Sequence, residues 1–256
     1  MVEVWLPYGK TEVCVRIPTQ NLLKIVELNH RDAAQNPQSE IELSLANPFG
    51  ILRLSEMAKP ESKVALVMRD SDTSTNQMVV SALLNELNSA GVRDENVSVI
   101  VAYDPLRDHP ARQQMPTLGE GLSSRVKIVS HDPEKTEHVN VGQTSRGTEV
   151  FLNKAFVEAD VKIVAGVVEP HPFAGYSSGA ELVLPGVSSL ETVRNSFLFA
   201  LDRKAERGTV ENNPVHEDMV EAARLAKVDF CLNVVRNGSL EVVKAFAGSV
   251  EGSFSE

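Results

Sequence analysis

Between residues 63 and 102 the chain carries a pattern that few folds accommodate: KVALVM, then QMVVSALLNELNSAGV, then VSVIVA. The two β-branched runs are apolar throughout instead of alternating, which suits strands covered on both faces. Between them Met78, Ala82, Leu83, Leu87 and Ala90 recur at helical spacing, and Gly91 stands where a C-terminal cap belongs. A βαβ crossover is predicted, and with it parallel strands. Further strands are predicted for RVKIV at 125–129, VKIVAGVV at 161–168 and the alternating TEVCVRI at 11–17. Helices are predicted at 50–58, 189–200 and 215–227, the last opened by Pro214. DFCLNVV and LEVVKAF flank Arg236-Asn237-Gly238-Ser239, which predicts a closing hairpin with Asn-Gly taking the positive φ angles of its turn. With no repeat and no Pro/Gly/Ser-rich linker, the expectation is one α/β domain over residues 1–256. Its sheet is mainly parallel, with helices on both faces and a C-terminal hairpin.

Charge narrows the partners. Thirty-five acidic against 25 basic residues leave a formal charge of −10, with no basic run to meet a phosphate backbone, so nucleic acid is not an expected partner. The apolar stretches are too short to span a bilayer, and the N-terminus MVEVWLPYG lacks a basic-then-apolar leader, so the expected location is the cytoplasm. Cys14 and Cys231 sit in apolar strand contexts without CxxC spacing and are read as reduced, buried thiols.

Ligands of parallel sheets bind beyond the C-terminal strand ends, which singles out three loops. Arg69-Asp70-Ser71-Asp72-Thr73-Ser74-Thr75 either holds a substrate or catalytic group through its carboxylates and hydroxyls, or caps the following helix. Tyr103-Asp104-Pro105-Leu106-Arg107-Asp108-His109-Pro110 offers a histidine and an arginine, a weak signal in a surface loop. The third loop runs from Glu169 through His171 and Gly175-Tyr176-Ser177-Ser178-Gly179-Ala180-Glu181 to Leu182. Its glycines and small hydroxyls suit a small anionic molecule, without the spacing of an ATP or dinucleotide motif. His171, held between Pro170 and Pro172, is the candidate general base.

These residues lie in a broader set: Tyr8-Gly9-Lys10, Ala46-Asn47-Pro48, Asp70, Gly142-Gln143-Thr144, Gly147-Thr148 and Asn153. The set is densest from Glu158-Ala159-Asp160 through Glu169-Pro170-His171 to Leu184-Pro185-Gly186, and it resumes at Asn213-Pro214. The chain resembles the N-terminal domain of the lactate racemase family, over roughly residues 8–250. The resemblance implies racemisation or epimerisation of small 2-hydroxy acids by a nickel-pincer nucleotide. In that chemistry the α-hydrogen leaves as hydride to the cofactor, and two histidines take the hydroxyl proton from opposite sides. It implies His171 as one acid/base with Asp70 as its orienting carboxylate, and Gly175, Ser177, Ser178, Gly179 and Glu181 as the cofactor-binding loop.

Four positions depart from the family pattern. Leu106 stands in place of the second histidine, Glu181 in place of the lysine that tethers the pincer, and Thr73 in place of a substrate-gripping arginine. No histidine accompanies Asn195, where the family has a metal ligand, and no residue of this chain is assigned to a metal. The chain also stops soon after Ala247-Gly248, before the family's smaller domain. Two alternatives therefore stand beside a racemase with altered or lost cofactor attachment: a non-catalytic ligand- or partner-binding member, and one half of a split enzyme completed by a partner chain.

Overall fold

The computed structural model describes every residue except 10, 27–28, 70–71, 107–117, 178 and 256. Two units are distinguished, Met1–Arg31 and Asp32–Glu256. In the first, β1 (Val2–Tyr8) and β2 (Thr11–Ile17) form an antiparallel hairpin, with Arg16 Nε donating to Glu3 across the strands at 2.9 Å. Cys14 of β2 is only half-buried, a correction to the expectation for it, because a two-stranded ribbon has no second layer of its own to cover both faces. Cys231 is buried, and that burial pushes its thiol up to about 12.

The second unit begins with α1 (Pro37–Ala46) and the short α2 (Leu54–Met57), followed by β3 (Val64–Met68), α3 (Thr73–Ser89) and β4 (Val97–Val101). After α4 (Gly119–Ser123) come β5 (Lys127–Ser130), the hairpin β6 (His138–Gln143) and β7 (Glu149–Asn153), α5 (Lys154–Val157) and β8 (Val161–Val167). Two very short strands follow, β9 (Pro170–His171) and β10 (Gly175–Tyr176), then α6 (Leu190–Phe197) and α7 (Pro214–Leu225). β11 (Phe230–Arg236), β12 (Val242–Gly248) and α8 (Gly252–Ser255) close the fold.

Six strands make the central sheet in the order β12-β11-β8-β3-β4-β5, all parallel except β12, which pairs antiparallel with β11. The α/β reading with a mainly parallel sheet and a C-terminal hairpin holds. Strand periodicity divides the core in two. Leu66, Val99, Ile163 and Leu232 face one side with Ile41 and Leu45 of α1 and Leu83, Leu84 and Leu87 of α3. Val67, Ile100, Val164 and Cys231 face the other with Phe156 of α5, Val193 of α6 and Val215, Met219 and Ala222 of α7.

The predicted helix at 50–58 shrinks to Leu54–Met57, because Gly50 takes φ +75° and Phe49 extends along β12, its N–H donating to Ala247 O at 2.8 Å. The β11–β12 turn is closed by a side chain: Asn237 Oδ1 accepts from the N–H groups of Ser239 and Glu241, and Leu240 takes φ +64°.

Several signature residues work as fasteners. Thr144 and Thr148, in the β6–β7 connection, donate hydroxyls to the fully buried Asp218 of α7 at 2.6 and 3.0 Å. Asn153 caps α5, accepting from Ala155 N–H and Phe156 N–H. Asn213 caps α7 and donates its amide to the carbonyls of Phe173 and Thr209, both at 2.8 Å. Gly186 packs where a Cβ would lie 2.2 Å from Leu182 O.

Candidate functional site

The chain leaves β3 toward β4 and β5 on one side, then returns to place β8 on the other side of β3. This is a topological switch point, and the crevice beyond the C-terminal ends of β3 and β8 is where such sheets take ligands. Arg69 follows β3, Asp104 follows β4 and Glu169 follows β8, while the 3-10 turn Gly179–Leu182 brings in Glu181. The guanidinium of Arg69 is ion-paired through Nη2 with Glu181 Oε1, and its Nε lies 3.7 Å from Asp104 Oδ2. His171 Nε2 is 3.9 Å from Glu181 Oε1. Only 4% of the His171 side chain and 5% of the Glu181 side chain are exposed.

His171 has a defined tautomer. Its Nδ1 accepts from the backbone N–H groups of Phe173 at 3.1 Å and Ala174 at 2.9 Å, which leaves the ring proton on Nε2. The imidazole is therefore a neutral hydrogen-bond donor at the mouth of the sheet. Burial pushes its pKa down to about 4, with the nearby Arg69 charge adding to the effect and Asp104 opposing it. Glu181 moves the other way: burial raises its carboxyl, Arg69 opposes that rise, and Asp104 adds to it. Its Oε2 is buried without a hydrogen-bond partner.

A second ion-pair group borders this one. Arg236, from the end of β11, binds Asp72 through Nη1 and Glu169 Oε1 through Nη2 at 2.8 Å. Asp72 also accepts the Thr75 N–H at 2.8 Å as the N-cap of α3, so capping in this loop falls to Asp72. Burial by itself would raise the Asp72 carboxyl, but the Thr75 bonds and the Arg236 charge outweigh it and hold the carboxyl low.

Of the residues singled out in the sequence, His171, Gly175 and Glu181 come together here, with Gly175 opposite His171 in the β9–β10 pair. The Ser177 hydroxyl accepts from Glu169 N–H at 2.8 Å and donates to Val167 O at 3.0 Å, tying the loop to β8. Gly179 packs against the sheet, where a Cβ would meet Cys231 Sγ at 2.3 Å. Asp70, Ser178 and the Arg107–Asp108–His109 stretch lie outside the described residues. Leu106 is exposed, and its N–H donates to Asp104 Oδ1 at 2.9 Å. Arg69 and Asp104 lie in two of the loops singled out in the sequence but carry no assigned role there, and Arg236 belongs to the predicted hairpin turn. The signal for the first two was their position directly behind a buried strand; Arg236, drawn in from the C-terminal hairpin, carries no local signal.

A second buried imidazole shares the direction of His171. His131 Nε2 donates to Ser188 O at 2.9 Å while its Nδ1 faces the Asn153 amide at 3.2 Å, and burial takes its pKa down to about 4. For both rings the folded value lies below the ordinary 6.5, so the unfolded chain binds protons that the folded chain refuses. Their contribution to stability is full above about pH 6.5 and is lost as pH falls toward about 4. Glu181, raised in the fold, has the opposite sign: its contribution is present at low pH and lost as pH rises through its folded value. Two histidines outweigh one carboxyl, so the midpoint of thermal unfolding is expected to fall across that window on acidification. A flat midpoint would contradict the buried, neutral assignment of both rings.

Residues 8–208 match the family model described as the lactate racemase N-terminal domain. The chain belongs to that family. Lactate racemase of Thermoanaerobacterium thermosaccharolyticum is 30% identical over 257 residues, covering 98% of this chain and 60% of the relative. Lactate racemase of Lactiplantibacillus plantarum is 30% identical over 260 residues, covering 99% and 61%. This lactate racemase family chain thus spans about 60% of the length of those curated relatives. The lactate racemase apoprotein structure from T. thermosaccharolyticum superposes with a TM-score of 0.84 at 29% identity, over 99% of this chain and 60% of that one. A crystal structure of a Thermotoga maritima protein, at 20% identity and a TM-score of 0.65 over 85% of this chain and 56% of that one, shares the fold. No helix among the described residues is long and apolar enough to cross a membrane.

Proposed function

We propose that this chain is a binding domain for small 2-hydroxy acids within the racemase family, and that it holds no covalently tethered pincer nucleotide. The observation that carries this reading is the Arg69–Glu181 ion pair. The family resemblance puts an amine at position 181 for a thioamide link. A carboxylate cannot make that bond, and this one is buried against a guanidinium. Among the described residues no cluster of three or more His, Cys, Asp and Glu side chains is arranged to hold a metal ion. The residues present do not fit a tethered nickel-pincer nucleotide.

The state of His171 supports binding over proton abstraction. A general base needs a lone pair toward its substrate. Here the Nδ1 lone pair is taken by two backbone N–H groups and Nε2 carries the proton, so the ring offers a donor to a ligand hydroxyl or carboxylate oxygen. D- and L-lactate are each expected to raise the unfolding temperature, since a ligand held only by the folded state stabilises it by about 2.7 kcal/mol at 100 times its Kd. Single enantiomers incubated with the chain, with and without nickel and pincer nucleotide, should keep their optical purity. Racemisation by the chain alone would overturn the reading, and so would the absence of any thermal shift with lactate.

A further reading is a racemase or epimerase that acts only together with the remaining length of its curated relatives, on the same polypeptide or supplied in trans. Mixing in the remaining C-terminal part of the T. thermosaccharolyticum enzyme would then change the optical purity of lactate where the chain alone does not.

A further inference from the structure

We propose that Arg69 is the carboxylate receptor of this domain and that Glu181 is its internal competitor: a small carboxylate enters by displacing Glu181 from the guanidinium, and Glu181 takes up one proton from solvent as it leaves. The inference deepens the 2-hydroxy-acid reading and rests on it only for the ligand's class. Its basis is charge and geometry. Among the described residues the Arg69 guanidinium faces two carboxylates, Glu181 in direct contact and Asp104 at 3.7 Å. A further carboxylate entering with both acids ionised would add a negative charge where the surroundings screen poorly, a costly arrangement. If a proton joins Glu181, the net charge is unchanged. One ion pair breaks, an equivalent one forms with the ligand, and the proton comes from buffer.

The surroundings of Glu181 favour the exchange. Its contact with Arg69 runs through Oε1, while Oε2 is buried with no partner, so the protonated side chain gives up a single ion pair on release. The planar guanidinium matches an incoming carboxylate as well as it matches Glu181. The charged and titratable groups around it act in one direction or the other. Asp104 after β4 and Glu169 after β8 favour protonation, and Arg69 after β3 opposes it. His171 on β9 stays neutral, its own protonation opposed by Arg69 and by Arg207. Arg236 is engaged with Asp72 and Glu169. Beside Arg69 a cavity of about 20 Å³ is lined by Met68, Thr75, Asn76, Gly166 and Glu169, room for about one water. A cavity of that size does not hold lactate, so an incoming carboxylate would have to take the place on Arg69 that Glu181 Oε1 holds.

Calorimetric titration of sodium L-lactate and sodium acetate at pH 5.5 and 7.5, in buffers of differing ionisation enthalpy, tests this. The unaltered chain should bind more weakly as pH rises, by up to about tenfold per unit with uptake of up to about one proton where Glu181 is ionised in the free chain. Glu181→Gln should bind about as tightly at pH 7.5 as the unaltered chain does at pH 5.5, with no proton uptake. Arg69→Gln should lose binding in both conditions; if it fails to fold, the proton count on the unaltered chain and the Glu181→Gln affinity decide. Lactate binding that is indifferent to pH and to Glu181→Gln would overturn the inference while leaving the hydroxy-acid reading intact. Acetate binding with the expected proton uptake, alongside no binding of lactate, would uphold the inference and remove hydroxy acids as the ligand class. No binding of either anion to any form would overturn both.

Discussion

Gly175→Ala is expected to destabilise the fold by about 2–5 kcal/mol and to disorganise the site with it. The residue takes φ +80°, and a Cβ built there would lie 2.4 Å from Thr209 O and 2.8 Å from its carbonyl carbon. The left-handed angle alone costs a side-chain-bearing residue about 1–2 kcal/mol, and forcing backbone apart in a packed region adds about 1–3 kcal/mol. The Thr209 carbonyl also accepts from Asn213, which caps α7 and holds the Phe173 carbonyl, so a displaced Thr209 is felt two residues from His171. Gly147→Ala is the matched control: its φ is +89° with nothing within 4 Å of the added carbon, so it carries the angular cost alone. Urea unfolding of both variants reads the difference. Equal losses would show that the Thr209 contact gives way freely.

Restoring the family residue at 181 should fail for a physical reason. Glu181→Lys would put an ammonium against the buried guanidinium of Arg69 and leave Asp104 to serve two cations. Breaking a buried ion pair by changing one partner typically costs about 3–5 kcal/mol, and a loss in that range is expected from denaturant titration. The double change Glu181→Lys with Arg69→Gln should recover part of it, since the two positions are in contact and their effects are not additive. A single Glu181→Lys variant as stable as the unaltered chain would mean that the ion pair does not shape this site.

The central sheet was legible because its strands are continuous apolar runs and α3 has a clear helical stripe ending at Gly91, where the chain takes φ +86°. The β6–β7 hairpin was not. HVNVGQ and EVFLN mix polar and apolar residues weakly, and the elements are fixed by the remote Asp218 acting on two threonines. Helix α1 went unread although Asn36-Pro37 is a usable start, with Asn36 accepting from Ser39 N–H at 3.1 Å. Its low amphipathicity hides the stripe that would otherwise reveal it. At the site, His171 and Glu181 stand out by local context. Arg69 becomes meaningful only when the 3-10 turn carries Glu181 to it across 112 positions, a contact made by the fold and by no motif.

The hydrogen bonds to His171 Nδ1 come from main-chain amides, not from a neighbouring side chain. The proton inventory of the ring is thus written into loop shape. Exchanging the side chains of Phe173 or Ala174 for any residue but proline leaves both donors in place, so descent by such substitutions around the imidazole retains its donor character. Turning it into a proton acceptor calls for an insertion, a deletion or a backbone rearrangement.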